Sequence, residues 1–363
     1  MKKVLTIGSA VHDLFIKYER PYLMEFEEDG QEVNYIMLEE GRKVEITKLH
    51  HATGGGALNS AICFNRLGFK STPCSKIGTD ANGTFILNAL EAQAITTALI
   101  TTTSKVATGN SYILPSPTGN SAILVDRGAN LTLSKKDIPV DEFAQYDQLY
   151  ITSLSKTTSE LLPYITQQAK KVGIPVAVNP GTSQLTANVT TLIDSLKHID
   201  ILILNTAEAS LLAESFFGAT HKEKTKKPNY DLPELLATPI ARDQLVFTIQ
   251  AYFKEVHSRG PAIAVVTNGE DGVYISDGSH IYYHTSLPID VESTVGAGDA
   301  FGATFVSQLL KGVSLDNAIR AGVINSAAAL EHLDATTGLL DQEELDELVA
   351  EIDQNGVKKY DIK

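Results

Sequence analysis

Short apolar runs alternate along this chain with longer stretches of helical periodicity. Val4 to Ile7, Leu149 to Thr152, Ile174 to Val178, Ile201 to Leu204 and Ala262 to Val266 read as strands, while Ser159 to Val172 and Gln244 to His257 carry helical patterns. The alternation predicts an α/β fold, a doubly wound, mostly parallel sheet flanked by helices. In such sheets ligands bind beyond the carboxyl ends of the strands. Two regions break the pattern and read as β-rich. One runs from Tyr35 to Ile46, with a turn between two strand-like halves. The other runs from Gly109 to Val125, where Pro115-Ser116-Pro117-Thr118-Gly119-Asn120 marks a hairpin turn.

Two clusters of small residues stand at predicted helix starts. In Ser293-Thr294-Val295-Gly296-Ala297-Gly298-Asp299, glycines and an alanine lead directly into an aspartate. Phe301, Phe305, Val306, Leu309 and Leu310 then recur at helical spacing, and Gly312 closes the run. Small residues there leave backbone N–H groups unshielded at the positive end of the helix dipole, a place that binds phosphate. A carboxylate beside a phosphate site repels the anion, so Asp299 makes sense as a base that takes the proton of an attacking hydroxyl. The short motif leaves a second reading open, a tight turn with Asp299 as N-cap. The other cluster is Thr53-Gly54-Gly55-Gly56-Ala57-Leu58-Asn59-Ser60, followed by a helix that ends at Leu67-Gly68. Consecutive glycines let a ligand approach the backbone, and the Asn59 amide both donates and accepts, which suits a hydroxyl-rich ligand.

Together the two segments resemble the paired signatures of the ribokinase-like, or PfkB, family of carbohydrate and nucleoside kinases. Further pieces follow in the family's order. Gly78-Thr79-Asp80-Ala81-Asn82-Gly83 resembles its Gly-x-Asp-x-x-Gly turn, Asn205-Thr206-Ala207-Glu208 its Asn-x-x-Glu element, and Thr267-Asn268-Gly269-Glu270-Asp271-Gly272 its nucleotide loop. The similarity spans nearly the whole chain apart from about 17–40 and about 214–241. It implies a single domain over 1–363, with a small β-sheet lid contributed by about 14–18, 35–52 and 105–126, through which some members dimerise.

The resemblance also implies roles. Asp13, Gly55, Gly56 and Asn59 would hold the acceptor. Gly296, Ala297, Gly298 and Asp299 would form the anion hole, with Asp299 as general base. Asn205, Thr267, Gly269, Gly272 and Asn325 would line the ATP site, and Glu208 would organise Mg²⁺ through water. The residues themselves leave plainer readings open: Asp13 as a turn-former, Asn205 and Glu208 as a capping box, Asn325 as a structural helix-face amide. Family members commonly carry an aspartate where this chain has Ser293, and that acid helps build a monovalent-cation site. Potassium activation therefore stays open, with Asp290 and Glu292 as candidate replacements.

Composition narrows the picture further. At 363 residues and 43% hydrophobic content, the chain can bury a full core. A formal net charge of -14 argues against a nucleic-acid partner. The two cysteines, Cys63 and Cys74, are expected as buried free thiols of a reducing compartment. The apolar start is too short for a signal peptide and no run reaches membrane-spanning length, so a soluble cytoplasmic protein is expected. Lys222 to Pro228 reads as a solvated loop.

The expected substrate is a small sugar or nucleoside. Gly56 offers no cationic grip on a sugar phosphate, and Arg127 is the nearest candidate anchor for an anion, unless Asp126 pairs with it. A neutral acceptor is the reading favoured, and the 7% aromatic content, with no tryptophan, gives no sign of a base-stacking pocket. The alternative function is a catalytically inactive, sugar-binding regulator, which would have no need of Asp299. A Rossmann oxidoreductase lacks its glycine spacing here, since the first strand turns through Gly8-Ser9-Ala10-Val11-His12-Asp13.

Overall fold

The computed structural model describes the chain except residues 20–21, 29–30, 117–119, 224–230, 353–355 and 363, and the side chains of 27–28 and 31–32. Its centre is a ten-stranded sheet. The first strand, Lys3–Ile7, lies between Lys70–Gly78 and Gln148–Ile151 and is parallel to both. The sheet continues in parallel through Ile100–Thr103 on one side and through Val176–Val178, Ile201–Asn205 and Ile263–Thr267 on the other. Val273–Ser276, His280–His284 and Lys358–Asp361 extend that second side antiparallel.

The near-continuous apolar runs follow from burial on both faces, because successive side chains of a strand point to opposite sides. Leu5, Ile7, Leu149 and Ile151 enter one core layer, which Phe253 and Leu162 complete from the helices. Val4 and Tyr150 enter the other, against Phe64, Phe301 and Phe305. Strand order reverses at Lys3–Ile7, whose neighbours lead away in opposite directions. A crevice opens at such a switch point.

A four-stranded sheet stands over that crevice, in the order Ile46–Gly54, Val11–Tyr18, Gly109–Pro115, Ser121–Asp126. The Gly109–Pro115 and Ser121–Asp126 strands form the expected hairpin, although 117–119 at its tip lie outside the described residues. The expectation for 35–52 needs correction. Gln31–Met37 leaves this sheet and pairs with Tyr22–Glu28 as a separate ribbon, in which Phe26 and Tyr35 meet edge to face at 5.4 Å. The turn read near Gly41 lies in the linker between the ribbon and Ile46–Gly54, with Gly41 at φ 78. Most of the stretch the family resemblance leaves uncovered at 17–40 is this ribbon.

The predicted Gln244–His257 helix also begins too early. Leu245–Phe247 is a strand paired with Ile240–Arg242, and the helix is Ile249–Ser258. Asp243 makes the connecting turn at φ 50, and Thr248 caps the helix by accepting the Ala251 N–H at 3.2 Å. Similarly, the α-helix expected from Ser159 starts at Leu162, after a 3-10 turn. Glu223 accepts the Thr248 N–H at 2.8 Å, so the start of the expected solvated loop packs on this hairpin, and 224–230 lie outside the described residues.

Candidate active site

The helix after the second small-residue cluster is Ala297–Lys311, with Gly296 as its N-cap at φ 86. Asp299 is therefore not the cap but sits in the first turn. Gly296 needs its lack of a side chain, since a Cβ would lie 2.2 Å from that of Ala335. Gly298 is different: a Cβ there would meet nothing within 4 Å. No side chain caps this helix, so the first-turn N–H groups stay open. Gly302 lets the helix lie close on the sheet, where a Cβ would be 2.3 Å from the Tyr150 hydroxyl oxygen. The turn follows a long loop from His284 rather than coming directly off a strand end.

The first cluster lies directly opposite. Its helix is Gly56–Arg66, and the Asn59 amide donates to Asp299 Oδ2 at 2.9 Å across 240 residues of sequence. The glycines before it answer to the protein's own packing. A Cβ on Gly54 would lie 1.8 Å from Asp13 Oδ2, one on Gly55 2.5 Å from the Ser9 carbonyl oxygen, and one on Gly56 2.7 Å from Thr152. Ligand approach is thus not what requires them, although Gly55 and Gly56 do line the site.

These segments enclose a cavity of ≈ 240 Å³ walled by Asp13, Gly55, Gly56, Asn59, Gly296 and Asp299, with Val11, Ile113, Ile123 and Val125 from the small sheet above. Sequence reasoning missed four of its polar residues, Ser9, Ser111, Asn130 and Ser155. Nothing local marks them, because their positions come from the small sheet and the loops beneath it. Two buried acceptors in the wall, Asp13 Oδ1 and Asn59 Oδ1, have no hydrogen-bond partner. Buried acceptors of that kind are normally satisfied.

Burial pushes the Asp13 carboxyl up to about 7, the Ser111 hydroxyl opposing the shift and the Asp299 and Asp334 charges adding to it. Asp299 is raised as well by burial, against the stabilising Asn59 amide. Asp334 goes the other way. Burial acts to raise it, but donors from Thr337, Thr336 and His50 hold it at about 2.

A second cavity, ≈ 640 Å³, is lined by Asn205, Thr206, Thr267, Asn268 and Gly269, together with Arg242 from the short hairpin. Asn205 and Glu208 do form a capping box: Asn205 Oδ1 accepts the Glu208 N–H at 2.8 Å and Glu208 Oε2 accepts the Asn205 N–H at 3.0 Å. Gly272 lines neither cavity and stands at φ 126, where a Cβ would lie 2.1 Å from the His284 carbonyl oxygen. Asn325 is a correction. It lines neither cavity and is fully buried, donating to Thr304 Oγ1 at 2.8 Å and accepting the Leu340 N–H at 2.8 Å. Its amide is saturated inside the fold.

The sequence matches the family model described as pfkB family carbohydrate kinase over residues 1–342. The chain belongs to that family. Ribokinase of Haemophilus influenzae is 29% identical over 281 residues, 77% of this chain and 80% of the relative. The structure of Arabidopsis thaliana ribokinase complexed with ribose and ATP has a TM-score of 0.73 at 19% identity and covers 96% of this chain and 99% of its own. A Burkholderia thailandensis nucleoside kinase in complex with inosine has a TM-score of 0.71 at 16% identity, covering 96% and 98%. These structures share the fold. That family is one of carbohydrate kinases, and the relative from Haemophilus influenzae is named a ribokinase.

Kinases of this family use ATP, generally with Mg²⁺. Among the described residues no three His, Cys, Asp or Glu side chains cluster to hold a metal. The half-buried Glu208 carboxylate, partly engaged by its cap, fits a hydrated Mg²⁺ carried chiefly by phosphates. Burial raises Glu208, the Asn205 N–H opposes this, and the Asp299 charge adds to it. Ser293, which stands where family members commonly carry an aspartate, is buried and its hydroxyl accepts the Val295 N–H at 3.3 Å. Glu292 does not replace the missing acid, since it pairs with Lys17 at 2.7 Å on the surface. Cys63 and Cys74 are free and buried, as expected. Among the described residues no helix is long and apolar enough to cross a membrane.

Proposed function

We propose that this kinase transfers the γ-phosphoryl group of ATP to a hydroxyl of a monosaccharide bound between Asp13, Asn59 and Asp299. The observation that carries the reading is the pair of unpartnered buried acceptors, Asp13 Oδ1 and Asn59 Oδ1, in the wall that also holds Asp299. Sugar hydroxyls supply the donors those atoms lack. A cavity of ≈ 240 Å³ lies below the ~300–1,000 Å³ usual for drug-sized ligands, and among the described residues no aromatic side chain lines it. Both features favour a monosaccharide over a nucleoside.

Asp299 accepts the proton of the hydroxyl as it attacks. The new bond forms between that oxygen and the γ-phosphorus, the bond to the ADP oxygen breaks, and the first-turn N–H groups of the Ala297–Lys311 helix meet the charge on the phosphoryl oxygens. Glu208 and Asn205 would hold the hydrated Mg²⁺, which supplies charge neutralisation on the phosphates. Asn205, Thr267 and Gly269 cradle the nucleotide, and Arg242, the charged side chain among that cavity's lining residues, adds a phosphate contact. ADP release with Mg-ATP, assayed over sugars and nucleosides, tests the reading. Turnover confined to nucleosides would sink the monosaccharide assignment, and sugar binding without any turnover would favour an inactive regulator.

Two further outcomes are expected. Arg242→Ala should raise KM for ATP roughly 10-fold or more, the scale of one hydrogen bond to a charged group, with acceptor KM unchanged. An unchanged KM for ATP would remove Arg242 from the site. The second concerns pH. Ionised Asp13 accepts from hydroxyls with both oxygens, whereas protonation turns one of them into a donor, so acceptor KM should fall as pH rises through about 7 and lose that dependence in Asp13→Asn. Stability runs oppositely. Because its native pKa is raised from 3.8, the folded protein keeps a proton across the window up to about 7, so stability declines over that window as pH rises. Asp13→Asn should therefore have a higher thermal midpoint than the ligand-free wild type at pH 8, while binding acceptor worse.

A further inference from the structure

Among the described residues, Arg127 is the one cationic side chain lining the cavity of Asp13, Asn59 and Asp299. Its backbone is clamped there. The Asn130 amide donates to the Arg127 carbonyl at 3.0 Å and to the Ala10 carbonyl at 2.8 Å, and accepts the Ala10 N–H at 2.8 Å. That ties Arg127 to the turn after the first strand. The side chain is half-buried and, among the described residues, makes no ion pair. Asp126, the neighbour that would neutralise it, accepts the Gly128 N–H at 3.1 Å instead.

The guanidinium is not there to balance the acids of the site either. Asp13 stays raised, to about 7, with no cation among the causes of its shift. Arg127 Nη1 donates to Ser155 Oγ, a hydroxyl that is 2% exposed and lines the same cavity. Ser155 keeps its own proton to give. A guanidinium presents five donors in a planar fork that matches carboxylate and phosphate, and one bond to Ser155 leaves the rest. A neutral sugar gives such a fixed, unpaired cation nothing to neutralise.

We infer that the phosphoryl acceptor carries an anionic substituent, a carboxylate or a phosphate, held by Arg127 and the Ser155 hydroxyl while Asp13 and Asn59 take its hydroxyls. This inference rests on the kinase reading above and reverses the neutral acceptor favoured from sequence. That expectation rested on Gly56 and on a possible Asp126 partner for Arg127, whereas Arg127 lines the cavity and Asp126 is engaged by Gly128.

The test is ADP release by the full chain in three arms: neutral aldoses and ketoses, the corresponding sugar acids, and sugar monophosphates. Wild type, Arg127→Met and Arg127→Lys are compared, with thermal midpoints recorded. One anionic arm should exceed the neutral arm in kcat/KM, and which arm it is separates carboxylate from phosphate. Arg127→Met should raise KM for that acceptor roughly 10–100-fold, the range of a charged hydrogen bond, and leave KM for ATP unchanged. Arg127→Lys, which keeps charge without the fork, should lose less and covers the case of a poorly folded methionine variant. A neutral preferred acceptor whose KM stays within about twofold in both variants overturns the inference and leaves the kinase reading intact. Silence in all three arms overturns both.

Discussion

Asp299→Asn is expected to lower kcat by about 10²–10⁴-fold, the usual cost of losing a general base, with KM for ATP nearly unchanged. The two side chains have the same shape, so the Asn59 contact at 2.9 Å is the local interaction most exposed to the exchange. Asn59 Nδ2 would face either an acceptor oxygen or a second amide donor, and the asparagine can turn its oxygen toward it. The fold should survive. Removing a half-buried carboxylate whose ionised form is disfavoured by burial costs the folded state little. A thermal midpoint at or above that of wild type, combined with lost turnover, would locate the defect in chemistry. Retention of more than about a tenth of wild-type kcat would remove Asp299 from the role of base, because proton transfer would then occur elsewhere.

Gly296→Ala and Gly298→Ala should separate the two jobs of the phosphate turn. At Gly296 the backbone is left-handed, φ 86, and a Cβ would lie 2.2 Å from that of Ala335. The turn and the loop carrying Ala335 must therefore part, which displaces the N–H groups proposed to meet the phosphate. Losing one such donor typically costs about 10²–10³ in kcat, and the strained φ adds roughly 1–2 kcal/mol of destabilisation. Gly298 lies in the helix with open space around its Cβ position. Alanine there should stabilise the protein by about 0.5–1 kcal/mol through its helix propensity. Turnover should nevertheless drop, because the open space is where the phosphate is proposed to sit. Equal effects of the two substitutions on stability and on kcat would contradict this assignment.

Much of the fold was legible because its determinants are local. A buried strand must be apolar on both faces, so Val4–Ile7 and Ile201–Leu204 announced themselves by composition alone. The short hairpin at Ile240–Phe247 did not, since Phe247 and Ile249 continue a periodicity that only Asp243 and Thr248 interrupt. The Tyr22–Met37 ribbon was hidden for a related reason. It packs little against the rest, with Tyr22, Met24, Tyr35 and Met37 each more than 40% exposed, so no core-facing pattern marks it.

What the sequence determined by itself is the family and the chemistry of its parts: two helix starts with small residues, one carboxylate in the first turn of the second, and a capping Asn-x-x-Glu. These are set by backbone geometry over a few residues, which any fold must respect. Tertiary structure decided which parts meet. It set Asn59 against Asp299 across 240 residues, assigned the 54–56 glycines to the protein's own packing, and saturated Asn325 inside the core. It also turned Arg127 and Arg242 toward the cavities. Such contacts depend on closing long loops around a shared sheet, and loop closure leaves no mark on the residues it brings together.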